Sequence, residues 1–438
     1  MRIAHVLHLF PSEPAGGTER TVLALAKAMQ TAGHEVVIVA GSLDVGPSHT
    51  TEEEVVQGLR VIRIRREDLW FESWEKAWSP AVGDAFAKVL DALRPDVVHV
   101  HHWIRMTTDL VRIARRRAGT VVACTLNDYW TQLATPTREI GVDVPAPPSR
   151  ARWVNASEAD EAFALHRADL LDEVRAAHLR FVPSLAHARG LAEMARADLG
   201  PVLAAPPPLL AVPPRRAPRS GPRGRTLLFF GSIYAEKGLD VAIGALASVG
   251  GWRLIVLGEI HDPVQRDRLH ARCARLPIEF RGRFTAEQLA AVEADYALIP
   301  STSHESYGLV VDEARCLGLP LIASDLPAYR EHADPDATAF FAAGDPGSLA
   351  VLLLDEVRLA TLREPRAHWV GAQQAAEQLL VRYAEAVRGE HRPCGEAPLC
   401  NDARRAAVLF RRAERRLWSL LQDGEPKLPP DAFLGGDA

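Results

Sequence analysis

One stretch of the sequence, residues 300–325 (PSTSHESYGLVVDEARCLGLPLIASD), constrains most strongly what this chain can fold into. The apolar run 295–299 before it predicts a short strand, and the polar, glycine-containing residues 301–308 are typical of a loop. Residues 309–317 carry a helical pattern that Gly318 ends before another apolar run begins. The order strand, loop, helix, turn and strand predicts an α/β unit with a helix starting at the top of a sheet.

This helix would begin just after Tyr307 and Gly308. Its unpaired backbone N–H groups and the positive end of its dipole coincide there, so the position suits an anion. Glu305 precedes the helix and Glu313 lies about one turn inside it. Carboxylates do not bind phosphate, but they accept hydrogen bonds from sugar or ribose hydroxyls, so a nucleotide diphosphate carrying a sugar is the implied ligand. The pair alone fits equally a capped helix whose acidic first turns suit its dipole.

A glycine-containing loop joins a strand to a helix near the start of the chain. Residues 3–9 predict a buried strand, Thr18 is a candidate cap for a helix, and residues 36–40 predict the next strand. The loop lacks the G-x-G-x-x-G pattern, so it gives no support for a nicotinamide dehydrogenase. At Gly16 and Gly17 no side chain prevents the backbone from approaching a ligand, although the same residues also suit a tight turn alone.

The predicted strand at residues 96–102 (DVVHVHH) ends in a pair of histidines, His101 and His102. A single histidine at a strand end is usually structural. The carboxyl edge of an open α/β sheet is nevertheless where such sheets bind ligands, so both histidines are candidates for a site.

Composition limits the class of protein. The 438 residues with 47% hydrophobic content suffice for two domains with their own cores, and the net charge of -5 gives no general attraction to nucleic acid. The cysteines show no metal-binding spacing, which favours a reduced, cytoplasmic protein. The first residues are broken too soon by Pro11 to predict a signal peptide, and no apolar run approaches the roughly 20 residues of a membrane-spanning helix.

The second half opens with a strand at residues 226–230 and the loop GSIYAEKG. Lys237 of this loop is placed to act as a point charge for phosphate, although a lone lysine could also be a solvated surface residue. Proline, arginine and glycine are dense in residues 200–224, as in an exposed connection between domains. The only Asp-x-Asp, at Asp334 and Asp336, falls in a predicted turn and carries little weight as a metal site.

Residues 305–313 resemble the Glu-x7-Glu region of retaining glycosyltransferases with the GT-B fold, in family 4 (group 1). The segments GGTER, AGHEVVIVAG and DVVHVH resemble further parts of that family, so the resemblance extends over most of the chain. It implies an α/β protein with two Rossmann-like domains facing across a cleft and a C-terminal helical tail. The implied divisions are an acceptor domain at 1–200, a linker at 201–224, a donor domain at 225–368, and C-terminal helices at 369–438, the first crossing back to the first domain.

The resemblance also implies an activity. A sugar would move from a nucleotide-diphosphate sugar to a hydroxyl acceptor, such as a polysaccharide, glycolipid or small-molecule glycoside, with retained anomeric configuration. No metal and no further cofactor are expected. The implied catalytic residues are His101, Lys237 and Glu305. The implied donor-binding residues are Gly16, Gly17, Ser232, Lys237, Glu305, Ser306, Tyr307, Gly308, Leu309 and Glu313.

Two positions depart from the family pattern. Relatives commonly have a histidine where this chain has Asn127, and often an arginine where it has Ser232. Arg281 or Arg283 could supply the missing positive charge. The departures motivate an alternative, a catalytically weak GT-B protein that serves as a ligand-binding or partner subunit. An epimerase on the same fold is a further alternative, and it would need no acceptor.

Two segments leave their role open. The aromatic residues of 70–78 (Trp70, Phe71, Trp74 and Trp78) fit a core face or a surface that contacts lipid or acceptor. Residues 402–421 predict an amphipathic helix whose apolar stripe is flanked by arginines. This helix fits docking on the protein itself or on a partner, or peripheral contact with an anionic membrane on the cytoplasmic face.

Overall fold

The computed structural model describes residues 1–13, 16–44, 50–66, 77–133, 138–139, 156–217, 221–260 and 263–389. The strands of the first half are β1 (Arg2–Leu7), β2 (Glu35–Gly41), β3 (Thr51–Val56), β4 (Leu59–Ile64), β5 (Val97–Val100), β6 (Val121–Thr125), β7 (Arg138–Glu139), β8 (Leu179–Val182) and β9 (Leu203–Ala204). The helices of this half are α1 (Gly17–Thr31), α2 (Pro80–Leu93), α3 (Leu110–Arg115), α4 (Trp130–Leu133), α5 (Ala156–Ala176) and α6 (Leu185–Ala195).

The strands of the second half are β10 (Thr226–Phe230), β11 (Arg253–Leu257), β12 (Ile278–Gly282), β13 (Tyr296–Ile299), β14 (Ser303–His304), β15 (Leu321–Ser324) and β16 (Thr338–Phe341). Its helices are α7 (Leu239–Ser248), α8 (Pro263–Cys273), α9 (Ala286–Ala290), α10 (Leu309–Leu317), α11 (Pro327–His332), α12 (Pro346–Leu354), α13 (Glu356–Thr361) and α14 (Ala372–Arg388).

Two large sheets organise these elements. The first has the order β3-β4-β2-β1-β5-β6-β8-β9, and the second has the order β12-β11-β10-β13-β15-β16. The pairings are parallel except that β3 runs antiparallel to β4. Helices cover both faces of each sheet, so the central strands are buried and mostly apolar. The sequence predicts such strands well because their apolar runs are continuous.

The edge strand β3 was not predicted from the sequence. Three of its six residues (TEEEVV) are glutamates and most are exposed, as is common at a sheet edge, where charge prevents pairing with other chains. Gln57 and Gly58, which join β3 to β4, both have positive φ angles, of 51° and 87°. This is the backbone of the tight hairpin turn that suits the twist of two antiparallel strands.

Helix α1 begins one residue earlier than its predicted cap. The N-cap residue is Gly16, and no side chain donates or accepts a capping hydrogen bond there. Thr18 lies inside the first turn. The prediction that Thr18 caps this helix is therefore wrong. Glu19 occupies the first turn, where its negative charge suits the positive end of the helix dipole.

The last described helix, α14, packs on the first sheet. Its buried face includes Ala375, Leu379 and Tyr383, which join the core formed by β1, β2 and α1. The chain segment before β10 also returns to this region, since the backbone N–H of Leu209 donates to the carbonyl of Val370 at 2.9 Å. Strand β9 adds to the first sheet within the segment predicted as linker. The two halves of the chain are thus joined on one side by α14 and this segment.

Candidate active site

Each large sheet changes direction at one pair of neighbouring strands. In the first sheet the chain runs from β1 outward to β2 on one side and returns to β5 on the other; in the second, β10 has β11 on one side and β13 on the other. Ligands of open parallel sheets bind outside the carboxyl ends of the strands at such a point. The loops after β1, β5, β10 and β13 hold Gly16, His101, Lys237 and Glu305. Residues predicted from four separate stretches therefore share two topologically favoured positions.

Lys237 and Glu305 are in direct contact. Nζ of Lys237 donates to Oε1 of Glu305 at 2.7 Å, and the same oxygen accepts from Oγ of Ser301 at 3.1 Å and from the hydroxyl of Tyr329 at 3.3 Å. The hydroxyls of Ser301 and Tyr329 are also 2.7 Å apart. The Glu305 side chain is only 16% exposed, and this network holds it in one orientation. The sequence did not point to Ser301 or Tyr329 because neither belongs to a recognisable pattern.

Two glycines allow the loops to approach each other. A Cβ at Gly238, where φ is +73°, would lie 1.9 Å from the carbonyl oxygen of Pro300. A Cβ at Gly308, where φ is +93°, would lie 2.3 Å from Cε1 of Tyr329. Only glycine adopts these angles without strain, and only glycine leaves the space. The contact between the Lys237 loop and the Glu305 loop therefore depends on the missing side chain at Gly238.

The N-terminus of α10 is free of a side-chain cap. Gly308 is its N-cap residue and has left-handed backbone geometry, and no side chain caps the first turn. The Tyr307 side chain is buried: its hydroxyl donates to Oδ2 of Asp312 at 2.9 Å, and its ring stacks on His332 at 4.1 Å. Ser306 and Leu309 flank this turn and are half-buried. Of the predicted donor-binding residues here, Tyr307 can thus offer its backbone rather than its side chain.

Glu313 follows Asp312 in α10 and is mostly withdrawn from water. Burial, together with the neighbouring charge of Asp312, raises the pKa of Glu313 to about 7. A carboxyl group with this pKa changes its charge near neutral pH. It can therefore accept hydrogen bonds from hydroxyl groups more strongly on the alkaline side of neutrality.

Ser232 is exposed at the turn after β10. The two arginines suggested as replacements for a missing cation are each paired with a carboxylate. Nε of Arg281 donates to Oε1 of Glu279 at 2.8 Å, and Nε of Arg283 donates to Oε2 of Glu259 at 2.6 Å. Either arginine would have to leave its partner to reach a phosphate, which weakens the suggestion that they compensate for Ser232.

The two candidate histidines of the first sheet have different surroundings. His102 has both ring nitrogens engaged: Nδ1 accepts from the backbone N–H of Ile104 at 3.1 Å, and Nε2 lies 3.2 Å from Oδ2 of Asp128. Because Nδ1 accepts, the proton is on Nε2 and is donated to Asp128. His102 is therefore held as a structural residue. This leaves His101 as the histidine of the pair with a ring nitrogen available to a ligand.

A cavity of about 540 Å³ adjoins His101. It lies between the carboxyl edge of the first sheet, α1, α14 and the prolines 206–208, and its lining includes His99, Thr125 and Asn127. Asn127 supports the site through the main chain, since its Nδ2 donates to the carbonyl of His101 at 3.0 Å. An asparagine in this place can orient His101, but it carries no proton that it could transfer.

The glycine loop lies beside a second imidazole. Gly16 and Gly17 form the N-terminus of α1, and Glu19 in its first turn contacts His8, with Oε1 and Nε2 separated by 2.7 Å. The carboxylate of Glu19 is also what a Cβ at Gly16 would meet, at 3.2 Å from Oε2. The His8 ring lies 4.6 Å from that of His102. Sequence reasoning missed His8 and Glu19, although His8 follows the end of β1 as His101 follows the end of β5.

Hydrogen bonds and a strand pairing join the two halves of the site. The hydroxyl of Ser184 donates to the carbonyl of Ser306 at 2.7 Å, next to Glu305. Glu331 accepts from the backbone N–H of Leu185 at 2.9 Å, and its other oxygen accepts from Arg189 at 2.8 Å. Strands β7 and β14 also pair across the halves. The loops that carry Glu305 and α10 are thereby held against the carboxyl edge of the first sheet.

Comparison with known proteins identifies the family of the chain. The profile described as Glycosyltransferase Family 4 matches residues 15–171, and the profile Glycosyl transferases group 1 matches residues 224–358. The chain is 30% identical to a glycogen synthase of Mycobacterium tuberculosis, with 92% of this chain and 99% of that protein covered. The chain belongs to glycosyltransferase family 4 (group 1).

Further relatives fit the same assignment. This family 4 glycosyltransferase is 27% identical to a GDP-mannose-dependent alpha-mannosyltransferase of Mycobacterium tuberculosis, over 89% of this chain and 97% of the relative. The structure of Anabaena HepE in complex with UDP and glucose superposes with a TM-score of 0.57 at 15% identity, covering 88% of this chain and 100% of that one. The enzyme therefore has the GT-B fold, two Rossmann-like domains facing across a cleft, and it transfers glycosyl groups.

Two predictions for this glycosyltransferase fall on residues that the structure does not describe. Residues 402–421 and the aromatic residues Trp70, Phe71 and Trp74 lie outside the described ranges, whereas Trp78 is half-buried. Among the described residues, none of the helices has the length and apolar character needed to span a bilayer. Contact with a membrane through the 402–421 segment remains a prediction.

Proposed function

We propose that this enzyme takes a sugar from a nucleotide-diphosphate sugar and attaches it to a hydroxyl group with retention of anomeric configuration. The observation that carries the proposal is the meeting of Lys237, Glu305 and the uncapped start of α10 at the carboxyl ends of β10 and β13. A cation and unpaired N–H groups suit a diphosphate, and buried carboxylates beside them suit hydroxyls.

In the proposed arrangement the C-terminal domain holds the donor. Lys237 and the N–H groups after Tyr307 contact the diphosphate, and Glu313 accepts hydrogen bonds from the ribose. Glu305 is oriented by its network towards the cleft and binds the transferred sugar or supports the lysine. The glycine loop at Gly16 and Gly17 closes over the diphosphate from the other domain.

The chemistry follows from this placement. The bond between the anomeric carbon and the β-phosphate oxygen breaks, and the diphosphate leaves with the electron pair. The acceptor oxygen forms the new bond on the same face of the sugar, and its proton passes to the leaving phosphate. Lys237 and the start of α10 stabilise the charge that develops on the diphosphate, a role that fixed dipoles and cations perform well in a site shielded from water. His101 donates a hydrogen bond to the sugar from the N-terminal domain.

The proposal specifies a nucleotide-diphosphate sugar and a hydroxyl acceptor, and it names neither a particular base nor a particular acceptor. Relatives differ, since one is named for GDP-mannose and another is bound to UDP and glucose. A thermal-shift panel of uridine, guanosine and adenosine diphosphates, with wild type and Glu313→Gln, identifies which base the enzyme binds. A ligand that binds only the native state raises the melting temperature by mass action. One base series should stabilise wild type and fail on the variant; no shift with any nucleotide would reject the donor site.

A ligand-binding or partner subunit is the second candidate. The exposed Ser232 and the pairing of Lys237 with Glu305 favour it, because both reduce the free positive charge at the phosphate position. Slow hydrolysis of the stabilising sugar nucleotide, measured without an acceptor, separates the two functions. Release of free sugar supports the transferase, whereas tight nucleotide binding with no release over days supports the binding protein. Recovery of an isomerised sugar nucleotide would instead indicate an epimerase.

We further propose that the enzyme works in the cytoplasm, and that residues 402–421 bring it to lipid surfaces. The arginines that flank the apolar stripe of this segment support contact with anionic headgroups. Sedimentation with phosphatidylglycerol vesicles should recover the full chain but not a chain ending at residue 389. Equal recovery of both would assign the segment to docking on protein instead.

A further inference from the structure

Three buried histidines form a cluster under α14. His5 of β1 pairs in register with His99 of β5, and His101 follows two residues later on the same face of the sheet. All three side chains are withdrawn from water, with exposures of 0% for His5, 0% for His99 and 3% for His101. His101 lines the cavity described above, whereas His5 lies behind it.

The cluster is a hydrogen-bonded assembly rather than a metal site. Possible ligand atoms of the three imidazoles lie within 4.8 Å of one another. However, His99 has both nitrogens engaged, Nδ1 with the hydroxyl of Tyr383 at 2.5 Å and Nε2 with Oγ1 of Thr125 at 2.7 Å. The centroids of the His99 and His101 rings lie 4.0 Å apart, and the ring planes are tilted by 33°.

A hydrogen bond between the two imidazole rings joins His5 to His101. Nδ1 of His5 and Nε2 of His101 are 2.9 Å apart, so one of them donates a hydrogen bond to the other. Burial lowers the pKa of His5 to about 4, and burial with the neighbouring imidazoles lowers the pKa of His101 well below its ordinary value. Both rings are therefore neutral at pH 7, and each carries a single N–H.

The second nitrogen of His5 decides the direction of this hydrogen bond. Nε2 of His5 is buried and has no partner. If His101 donated, the single proton of His5 would sit on Nε2 as a buried, unpaired N–H. If His5 donates, Nε2 is only an unpaired acceptor. Unpaired buried N–H groups are the rarer of the two in proteins, which indicates that the second arrangement is the more stable.

We propose that His5 is a positioning residue that donates from Nδ1 to Nε2 of His101 and thereby fixes the His101 proton on Nδ1. His101 then offers its ligand an N–H donor and not a bare lone pair. The partner it suits is an oxygen atom that accepts a hydrogen bond, such as a sugar hydroxyl or a phosphate oxygen. The identity of that ligand rests on the proposed function, whereas the role of His5 concerns the protein alone.

The test uses nitrogen-15 NMR of the ligand-free full chain labelled at histidine, with the His101 signals identified by their loss in His101→Gln. Each ring nitrogen reports whether it carries a proton. The expected result for wild type at pH 7 is a proton on Nδ1 of both His5 and His101. A proton on Nε2 of His101 would overturn the proposal.

Variants then separate positioning from packing. His5→Phe should move the Nε2 resonance of His101, because that nitrogen loses its donor, and His5→Asn should restore it, because an amide can donate there. Tyr383→Phe is the matched control: it removes a buried hydrogen bond from the neighbouring His99 and should leave the His101 resonance in place. An equal change in His5→Phe and Tyr383→Phe, or no change in either, would reject a specific role for His5.

The same variants report on turnover. Since the lost hydrogen bond is worth about 1 kcal/mol, His5→Phe should lower kcat for hydrolysis of the stabilising sugar nucleotide about fivefold. Its Kd for the nucleoside diphosphate should stay within twofold, because in the proposed arrangement His101 contacts the sugar, which this ligand lacks. Absence of any hydrolysis in wild type would reject the proposed function but leave the NMR result for His5 standing.

Discussion

Lys237 and Glu305 form an ion pair, with Nζ and Oε1 separated by 2.7 Å, that joins the loop after β10 to the loop after β13. The lysine is the cation proposed for the donor diphosphate, and the carboxylate is buried in a network that includes Ser301 and Tyr329. A phosphate group would therefore share the lysine with Glu305. This relationship predicts that the affinity for nucleotides depends on two residues with opposite effects.

Removing the charge of Lys237 should weaken nucleotide binding. Lys237→Met keeps an unbranched side chain one atom shorter and loses the charge-assisted hydrogen bond, so the Kd for the preferred nucleoside diphosphate should rise about tenfold. Glu305→Gln is the matched variant, because it frees the lysine from competition, and its Kd should equal that of wild type or fall below it. Isothermal titration calorimetry measures both. A Kd in Lys237→Met within twofold of wild type would contradict the phosphate role.

Nucleotide binding should depend on pH through Glu313. The pKa of this carboxyl is raised to about 7 by burial, so in the ligand-free protein its contribution to stability is present at low pH and is lost as the pH rises through 7. Ribose hydroxyls donate to the carboxylate form, so affinity should increase about tenfold between pH 6 and pH 8. Since the phosphate groups of the ligand titrate as well, the comparison is with Glu313→Gln. Parallel pH profiles in the two proteins would show that Glu313 does not contact the ribose.

Gly238 should not tolerate alanine. The added Cβ would lie 1.9 Å from the carbonyl oxygen of Pro300, and the φ of +73° adds strain of about 1–2 kcal/mol. Gly344→Ala is the control, because Gly344 has a φ of +75° and open space around the added carbon. Urea unfolding should show a loss of about 1 kcal/mol for Gly344→Ala and a clearly larger one for Gly238→Ala, together with weaker nucleotide binding. Equal losses would mean that the two loops can move apart at no cost.

The two domains should open more readily without Glu331. This carboxylate accepts from the backbone N–H of Leu185 and from Arg189, both in the other domain. Glu331→Ala should change the free energy of unfolding by about 1 kcal/mol or less, because the pair is partly exposed. It should nevertheless increase the radius of gyration measured by small-angle X-ray scattering, since Glu331 makes two of the hydrogen bonds that hold the domains together.

Glu385→Ala provides the comparison for that experiment. It also removes a carboxylate paired with an arginine, Arg382 at 3.0 Å, but both residues lie in α14. Its radius of gyration should match that of wild type. An unchanged radius in Glu331→Ala as well would show that Ser184 and the β7–β14 pairing are sufficient to hold the domains together.

The sequence predicted the elements around the site with small errors at their ends. The helix at residues 309–317 and the strand at 226–230 were placed correctly, because glycine or proline and a change in hydrophobic pattern mark their limits. Strand β3 was missed because its three glutamates hide the apolar pattern of a strand. The N-cap of α1 was misplaced because both Gly16 and Thr18 are residue types that occur at helix starts. These are local errors, and they did not affect the predicted positions of the loops that carry the candidate site residues.

What the sequence determined by itself is the succession of strands and helices, the glycines that shape the loops, and the family to which the chain belongs. Each of these depends on residues that are close together along the chain. Only the tertiary structure decided which side chains meet. It paired Lys237 with Glu305, engaged both nitrogens of His102, and placed His5 behind His101. Such contacts join residues that are remote along the chain, and they depend on strand register and loop approach, which a linear pattern does not contain.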